Sequence, residues 1–200
     1  ATGDTWCAYG REAAKGATGD HFVSIGYQSS ELSATAANFV HIGYQAGNAC
    51  TTNGTVAIGY RTLWKGGGLG SVAVGNSCGD AVTTGVLTAV GNFSFSTVTT
   101  GTSNVGLGLY AGYLATGSSN VMIGHGAGDA VTTASSCTYI GRFDGTAHAT
   151  TSNVLALSTG TTVRFLFDGT NYFLSSLPTT NPAADGALWN NSGVLSVSAG

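Results

Sequence analysis

One tetrapeptide pattern recurs along most of this chain. It reads Val23-Ser24-Ile25-Gly26, Val40-His41-Ile42-Gly43, Val56-Ala57-Ile58-Gly59 and Val72-Ala73-Val74-Gly75, and continues through Thr88-Ala89-Val90-Gly91, Val105-Gly106-Leu107-Gly108, Val121-Met122-Ile123-Gly124 and Thr138-Tyr139-Ile140-Gly141. Cys7-Ala8-Tyr9-Gly10 is a degenerate first copy. The closing glycines are therefore Gly10, Gly26, Gly43, Gly59, Gly75, Gly91, Gly108, Gly124 and Gly141, and every spacing between them is 16 or 17. A further glycine is due at 157, where Leu157 stands, so the repeat is expected to end there.

A unit of this length is too short for helix-pair repeats, which need about 33 residues or more. It fits one coil of a parallel β-solenoid, expected to hold two short strands and two turns. At about 4.8 Å per coil, nine coils span roughly 40 Å. Each closing glycine is expected at a corner that needs positive φ. Three residues later comes a column of small or uncharged side chains, Ala13, Ser29, Ala46, Thr62, Cys78, Ser94, Ala111 and Ala127, broken by Asp144. That column is expected to be enclosed. Thr-rich turns follow, and residues 79–84 recur unchanged at 128–133, three coils on.

Strand side chains alternate between faces, so Val and Ile of each motif share one face and the residues before and between them share the other. Phe22, Phe39, His41, Ala57, Ala73, Met122 and Tyr139 lie on the second face, and both faces are poor in charge. A strand apolar on both sides is expected to be buried on both sides. One thin coil has a single interior, so a second chain is expected to cover the other face. The Val and Ile columns are taken as inward, which makes Ile58→Asp or Val74→Asp an expected block to assembly.

Composition narrows the function. Charged residues are 8 %, glycines number 32 and the net charge is −3, so Ser, Thr, Asn and Gly must supply the solvent face. With 42 % hydrophobic residues the chain is not of the disordered type. Six scattered Lys and Arg form no basic stripe, which argues against nucleic acid as a partner. No apolar run approaches the ~18 residues of a membrane helix, and no signal-peptide pattern opens the chain, so membrane insertion is not expected. The start at Ala1, without Met, suggests a fragment or processed product. Cys7, Cys50, Cys78 and Cys137 lack metal-site spacing and are read as small buried apolar residues.

The motif copies followed by Tyr44-Gln45-Ala46-Gly47 resemble head repeats of trimeric autotransporter adhesins, and still more the repeats of phage tail fibres, over roughly residues 5–150. The tail adds a second resemblance. Residues 161–174 read as a hairpin around Asp168-Gly169, Pro178 and Pro182 bracket a linker, and 186–198 read as another hairpin. Its Ala187-Leu188-Trp189-Asn190-Asn191 followed by Gly193-Val194-Leu195 is similar to the ends of many phage fibre proteins. The resemblance implies an all-β homotrimeric fibre of a virion that contacts other virion proteins and attaches to a host surface glycan or protein. The alternatives are a bacterial surface adhesin and a passive fibre without a receptor.

The expected organisation is a solenoid stalk over 1–157, a hairpin over 158–177, and a linker with a hairpin tip over 178–200. No enzymatic activity and no cofactor are expected. The carboxylates are few, and Asp80 and Asp129 share a column three coils apart, too far for the ~5–9.5 Å of a glycosidase pair. The four histidines form no HExxH or other ligand spacing, and Asp-rich calcium loops are absent. His41 on a three-fold axis could hold an ion, although packing or a hydrogen bond suits it better. Tyr27, Tyr44 and Tyr60 follow the motif glycine on three successive coils. They form either a stabilising ladder or, with Trp64 and Trp189, a surface for receptor contact.

Overall fold

The computed structural model describes residues 5–33, 35–83, 85–175 and 177–199. The chain winds as a parallel β-solenoid. The motifs form β1 (Trp6–Tyr9), β2 (Phe22–Ile25), β3 (Val40–Ile42), β4 (Val56–Ile58), β5 (Val72–Val74), β6 (Leu87–Val90), β7 (Asn104–Leu107), β8 (Val121–Ile123) and β9 (Thr138–Ile140). Each pairs in parallel with the next, motif on motif: Val40 lies opposite Val56, His41 opposite Ala57 and Ile42 opposite Ile58.

Each coil contributes one strand, where two were expected. The reason is a backbone alternation on the far side. In the first eight coils the second and fourth residues after the motif glycine both have positive φ, as at Gln45 (52°) and Gly47 (57°), or Arg61 (50°) and Leu63 (49°). Left-handed residues at every other position cannot extend into a strand. They turn successive amides alternately toward the two neighbouring coils. Arg61 N–H donates to Tyr44 O on the coil before (2.8 Å), and Leu63 N–H donates to Cys78 O on the coil after (3.0 Å). The backbone groups of the turn are thereby paired without a strand. The motif glycine has its own requirement. Gly75 lies at φ 140°, and a Cβ there would stand 2.5 Å from Gly91 O on the next coil.

The interior is lined by the residues before and between Val and Ile, which reverses the expected facing. Ala57, Ala73, Ala89, Met122 and Tyr139 are fully enclosed, whereas Val56, Ile58, Val72 and Val74 are half-buried and Val90, Leu107 and Ile140 are exposed. The far-side turn carries its own enclosed columns, including Ser29, Ala46, Cys78 and Ala111, and the strand must meet them. Ile58 and Val74 therefore belong to the outer face. Cys50, Cys78 and Cys137 are buried as expected, while Cys7 is exposed in the first coil.

Leu155-Ala156-Leu157 adds a further parallel strand, β10 (Leu155–Thr159), with Leu157 opposite Ile140. The glycine place thus falls to Ser158, whose backbone packs on Gly141. β10 then pairs antiparallel with β11 (Thr162–Phe167), and β11 with β12 (Tyr172–Leu174), around the Asp168-Gly169 turn. Val163 and Leu166 pack against the end of the core and close it. Farther on, β13 (Leu188–Asn191) and β14 (Val194–Val197) form a separate hairpin over Ser192 (φ 52°) and Gly193 (φ 94°). Those angles suit a two-residue hairpin turn.

Candidate functional site

Three surfaces bear on function. The first is the outer face of the sheet. Two columns run along it, from Val23 to Leu155 and from Ile25 to Leu157, and every member is aliphatic except Thr88 and Thr138. Neither column carries a charge.

The second surface is the aromatic corner. Tyr27 and Tyr44 stack with centroids 5.2 Å apart, and Tyr44 and Tyr60 with centroids 5.0 Å apart and planes within 10°. The coil spacing imposes this arrangement, because equivalent side chains on adjacent coils stand one strand separation apart. The facing sides of the rings are taken up by one another, with Arg11 over the outer side of Tyr27 at 5.7 Å. Tyr44 and Tyr60 are 42 % and 47 % exposed, and they offer mainly edges and hydroxyls. Beside them Gln45 Nε2 donates to Gln28 Oε1 (2.8 Å), and Gln28 Nε2 donates to Glu12 Oε2 (3.0 Å). Trp64 is covered by the Arg61 guanidinium at 4.0 Å, and Arg61 also pairs with Asp80 at 3.8 Å. Trp189 is half-buried in the separate hairpin, opposite Ser196. The three tyrosines thus share one corner of the solenoid, Trp64 lies four residues farther round the coil of Tyr60 under Arg61, and Trp189 lies in the separate hairpin.

His41 is enclosed inside its coil and faces no axis between chains. Its Nδ1 bonds to Ser30 Oγ (2.7 Å) and its Nε2 to Thr55 Oγ1 (2.9 Å). Burial pushes its pKa down to about 3, which keeps the ring neutral. The ion-binding alternative for this residue therefore gives way to an internal hydrogen-bonded role.

The third surface arises where the coil register slips. In earlier coils the amide six residues after the motif glycine donates to the carbonyl five residues after the next glycine, as Leu114 N–H does to Asp129 O (3.1 Å). At the ninth coil Ala130 N–H donates instead to Asp144 O (3.0 Å), and Gly128 N–H to Phe143 O (2.8 Å). Phe143 takes the enclosed third place, and Asp144 moves to the fifth, directly beyond Asp129. The residues skipped return as a single 3-10 turn, Thr146–His148. This is why Asp144 breaks the column of small side chains.

The slip leaves a cleft of about 340 Å³ lined by His125, Asp129, Arg142, Phe143, Asp144 and Thr161. Burial pushes the Asp129 carboxyl up and negative Asp144 pushes it the same way, against smaller pulls from Ala130 N–H and His125. Arg142 forms no ion pair with either carboxylate among the described residues. Nor do the described residues contain a group of three or more metal-ligating side chains. Counting columns by fixed increments paired Asp129 with distant Asp80 and missed its neighbour Asp144. The available signal was a charged residue in an otherwise uncharged column.

No family model matches this chain, and comparison with curated proteins and with solved structures finds no match.

Proposed function

We propose that this chain is a rigid segment of a homotrimeric fibre on the outside of a virion, serving attachment to a glycan or protein on the host surface. The observation that carries the reading is the uncharged aliphatic outer face. A continuous aliphatic ladder differs in kind from singly scattered apolar side chains, and contiguous apolar patches mark interaction sites. A second copy of the chain has the same coil spacing, so it can meet the ladder coil for coil along its whole length. One apolar face per chain could close a two-sided sandwich or a three-sided prism. The resemblance to trimeric fibres favours three.

The separate hairpin supports the same reading. Val194, Leu195 and Val197 are 63 %, 57 % and 66 % exposed, on both faces of β14. An isolated two-stranded hairpin is marginal in water, and association of three would supply the missing core. The virion assignment rests on the resemblance of the motif copies and of the Ala187–Asn191 tail. A passive fibre is the second reading, favoured by the tyrosine faces being turned onto one another.

Sedimentation equilibrium and native mass measurement at micromolar concentration test the assembly, with a trimer expected. A stable monomer would overturn the reading. Electron cryomicroscopy of the particles that carry the protein tests its location, with density in an external appendage expected.

A further inference from the structure

We propose that the cleft between the eighth and ninth coils is a binding site for one neutral pyranose unit of a surface glycan. The proposal rests on the attachment reading and deepens it. Pockets for small ligands run from about 300 Å³ upward, so the cleft has room for a sugar ring. Its chemistry matches a polyhydroxylated, uncharged ligand better than the alternatives. Asp129 and Asp144 are neighbours across one coil step, about 4.8 Å. Each can accept an O–H from a different hydroxyl of one ring. Arg142, unpaired with either carboxylate among the described residues, supplies donors from the same wall. Phe143 packs partly against the core and lends an apolar ring to the lining, suited to the C–H face of a sugar.

The charges exclude close competitors. Two carboxylates against one guanidinium disfavour an acidic sugar such as a sialic acid. Arg142 disfavours a cationic side chain that the carboxylates alone would attract. In the aromatic corner the facing sides of the tyrosines are taken up by stacking, and the Arg61 guanidinium is already paired with Asp80.

The test titrates the whole protein, in its native assembly, with methyl glycosides of glucose, galactose, mannose, N-acetylglucosamine and N-acetylgalactosamine. Saturation-transfer NMR detects contact and calorimetry measures affinity. At least one glycoside should bind saturably, and N-acetylneuraminic acid should not. Asp144→Ala and Arg142→Ala should each weaken binding about tenfold or more, a change of about 1.4 kcal/mol. Both side chains are exposed, but Asp144 Oδ1 also accepts from Thr146 N–H (3.0 Å), so Asp144→Ala should lower the thermal midpoint slightly and Arg142→Ala should leave it in place, while Tyr60→Ala should leave sugar affinity unchanged. No binding by any of the five glycosides, affinity indifferent to Asp144→Ala, or preferential binding of N-acetylneuraminic acid or lysine methyl ester would overturn the proposal.

Failure here and failure of the fibre reading are distinguishable. All the lining residues belong to one chain, so sugar binding can be read even from a monomer. An intact trimer that binds no glycoside leaves the fibre reading standing.

Discussion

The Phe95 ring, with the Ser94 hydroxyl beside it, fills the space that a side chain on Gly106 would need: a Cβ there would stand 2.6 Å from the ring's Cδ2 and 2.5 Å from Ser94 Oγ. The relation crosses the interior, from the far-side turn of one coil to the strand of the next. It recurs with the partners exchanged. His41 lies against Gly47, Met122 against Gly128 and Tyr139 against Gly145, each bulky residue facing a glycine of its own coil. In the coils of Ala57 and Ala89 the bulk lies on the turn, where Leu63 and Phe95 are fully buried and reach Gly79 and Gly112 of the following coil. The interior thus keeps a nearly constant cross-section while the residues that fill it change sides.

Gly106→Ala should destabilise the protein by about 1–3 kcal/mol, the usual cost of overpacking. Gly106 has no positive φ, so the cost comes from packing rather than backbone strain. Phe95→Leu should be destabilising alone, yet should recover part of the loss when combined with Gly106→Ala. Urea denaturation of the four proteins measures the coupling; additive effects would show that the ring and the glycine do not compete for one space.

Ala57 and Ile58 offer a way to separate folding from the proposed assembly. Ala57 is enclosed and Ile58 is on the outer face. Ala57→Asp should abolish folding, because an unpaired buried carboxylate costs several kcal/mol. Ile58→Asp should keep the circular dichroism of the solenoid and lose the proposed trimer. Equal behaviour of the two variants would contradict the assigned facing.

His41 should make stability fall in acid. Its folded pKa of about 3 lies below the ordinary 6.5, so the unfolded chain takes the proton first. The contribution is full above pH 6.5 and lost as pH falls toward 3, at up to about 1.4 kcal/mol per unit. Burial raises Asp80 and Asp129, and these work in the opposite sense. The comparison that isolates His41 is therefore wild type against His41→Gln, with denaturation measured from pH 7.5 to 4. The variant should show the shallower decline; parallel curves would refute the buried neutral ring.

Deleting residues 59–74 removes one complete repeat and joins Ile58 to Gly75. Every later column keeps its register, and a quasi-one-dimensional stack loses about one coil's interface. Deleting only 59–66 leaves half a coil and throws inward and outward columns out of step. The first variant should fold with a lowered midpoint and the second should not fold. Thermal scans and trimer yield decide, and equal outcomes would exclude a solenoid of this period.

The sequence by itself determined the period, the parallel in-register stacking, the corner glycines and the hairpins of the C-terminal region. These are local or periodic properties. Gly75 marks its corner by closing the motif as the other copies' glycines do, and the 16- or 17-residue spacing survives in every copy. Only the tertiary structure decided which face of the strand is interior. Val56 and Ile58 look like core residues, and Ala57 alone gives no sign of what fills the space beside it. The bulk is supplied by side chains such as Leu63, fully buried on a far-side turn whose left-handed residues replace the expected second strand. The cleft depended on the fold in the same way. Asp129 and Asp144 become neighbours through a register slip in one coil, which arises from how Phe143 packs and which counting along the chain does not register.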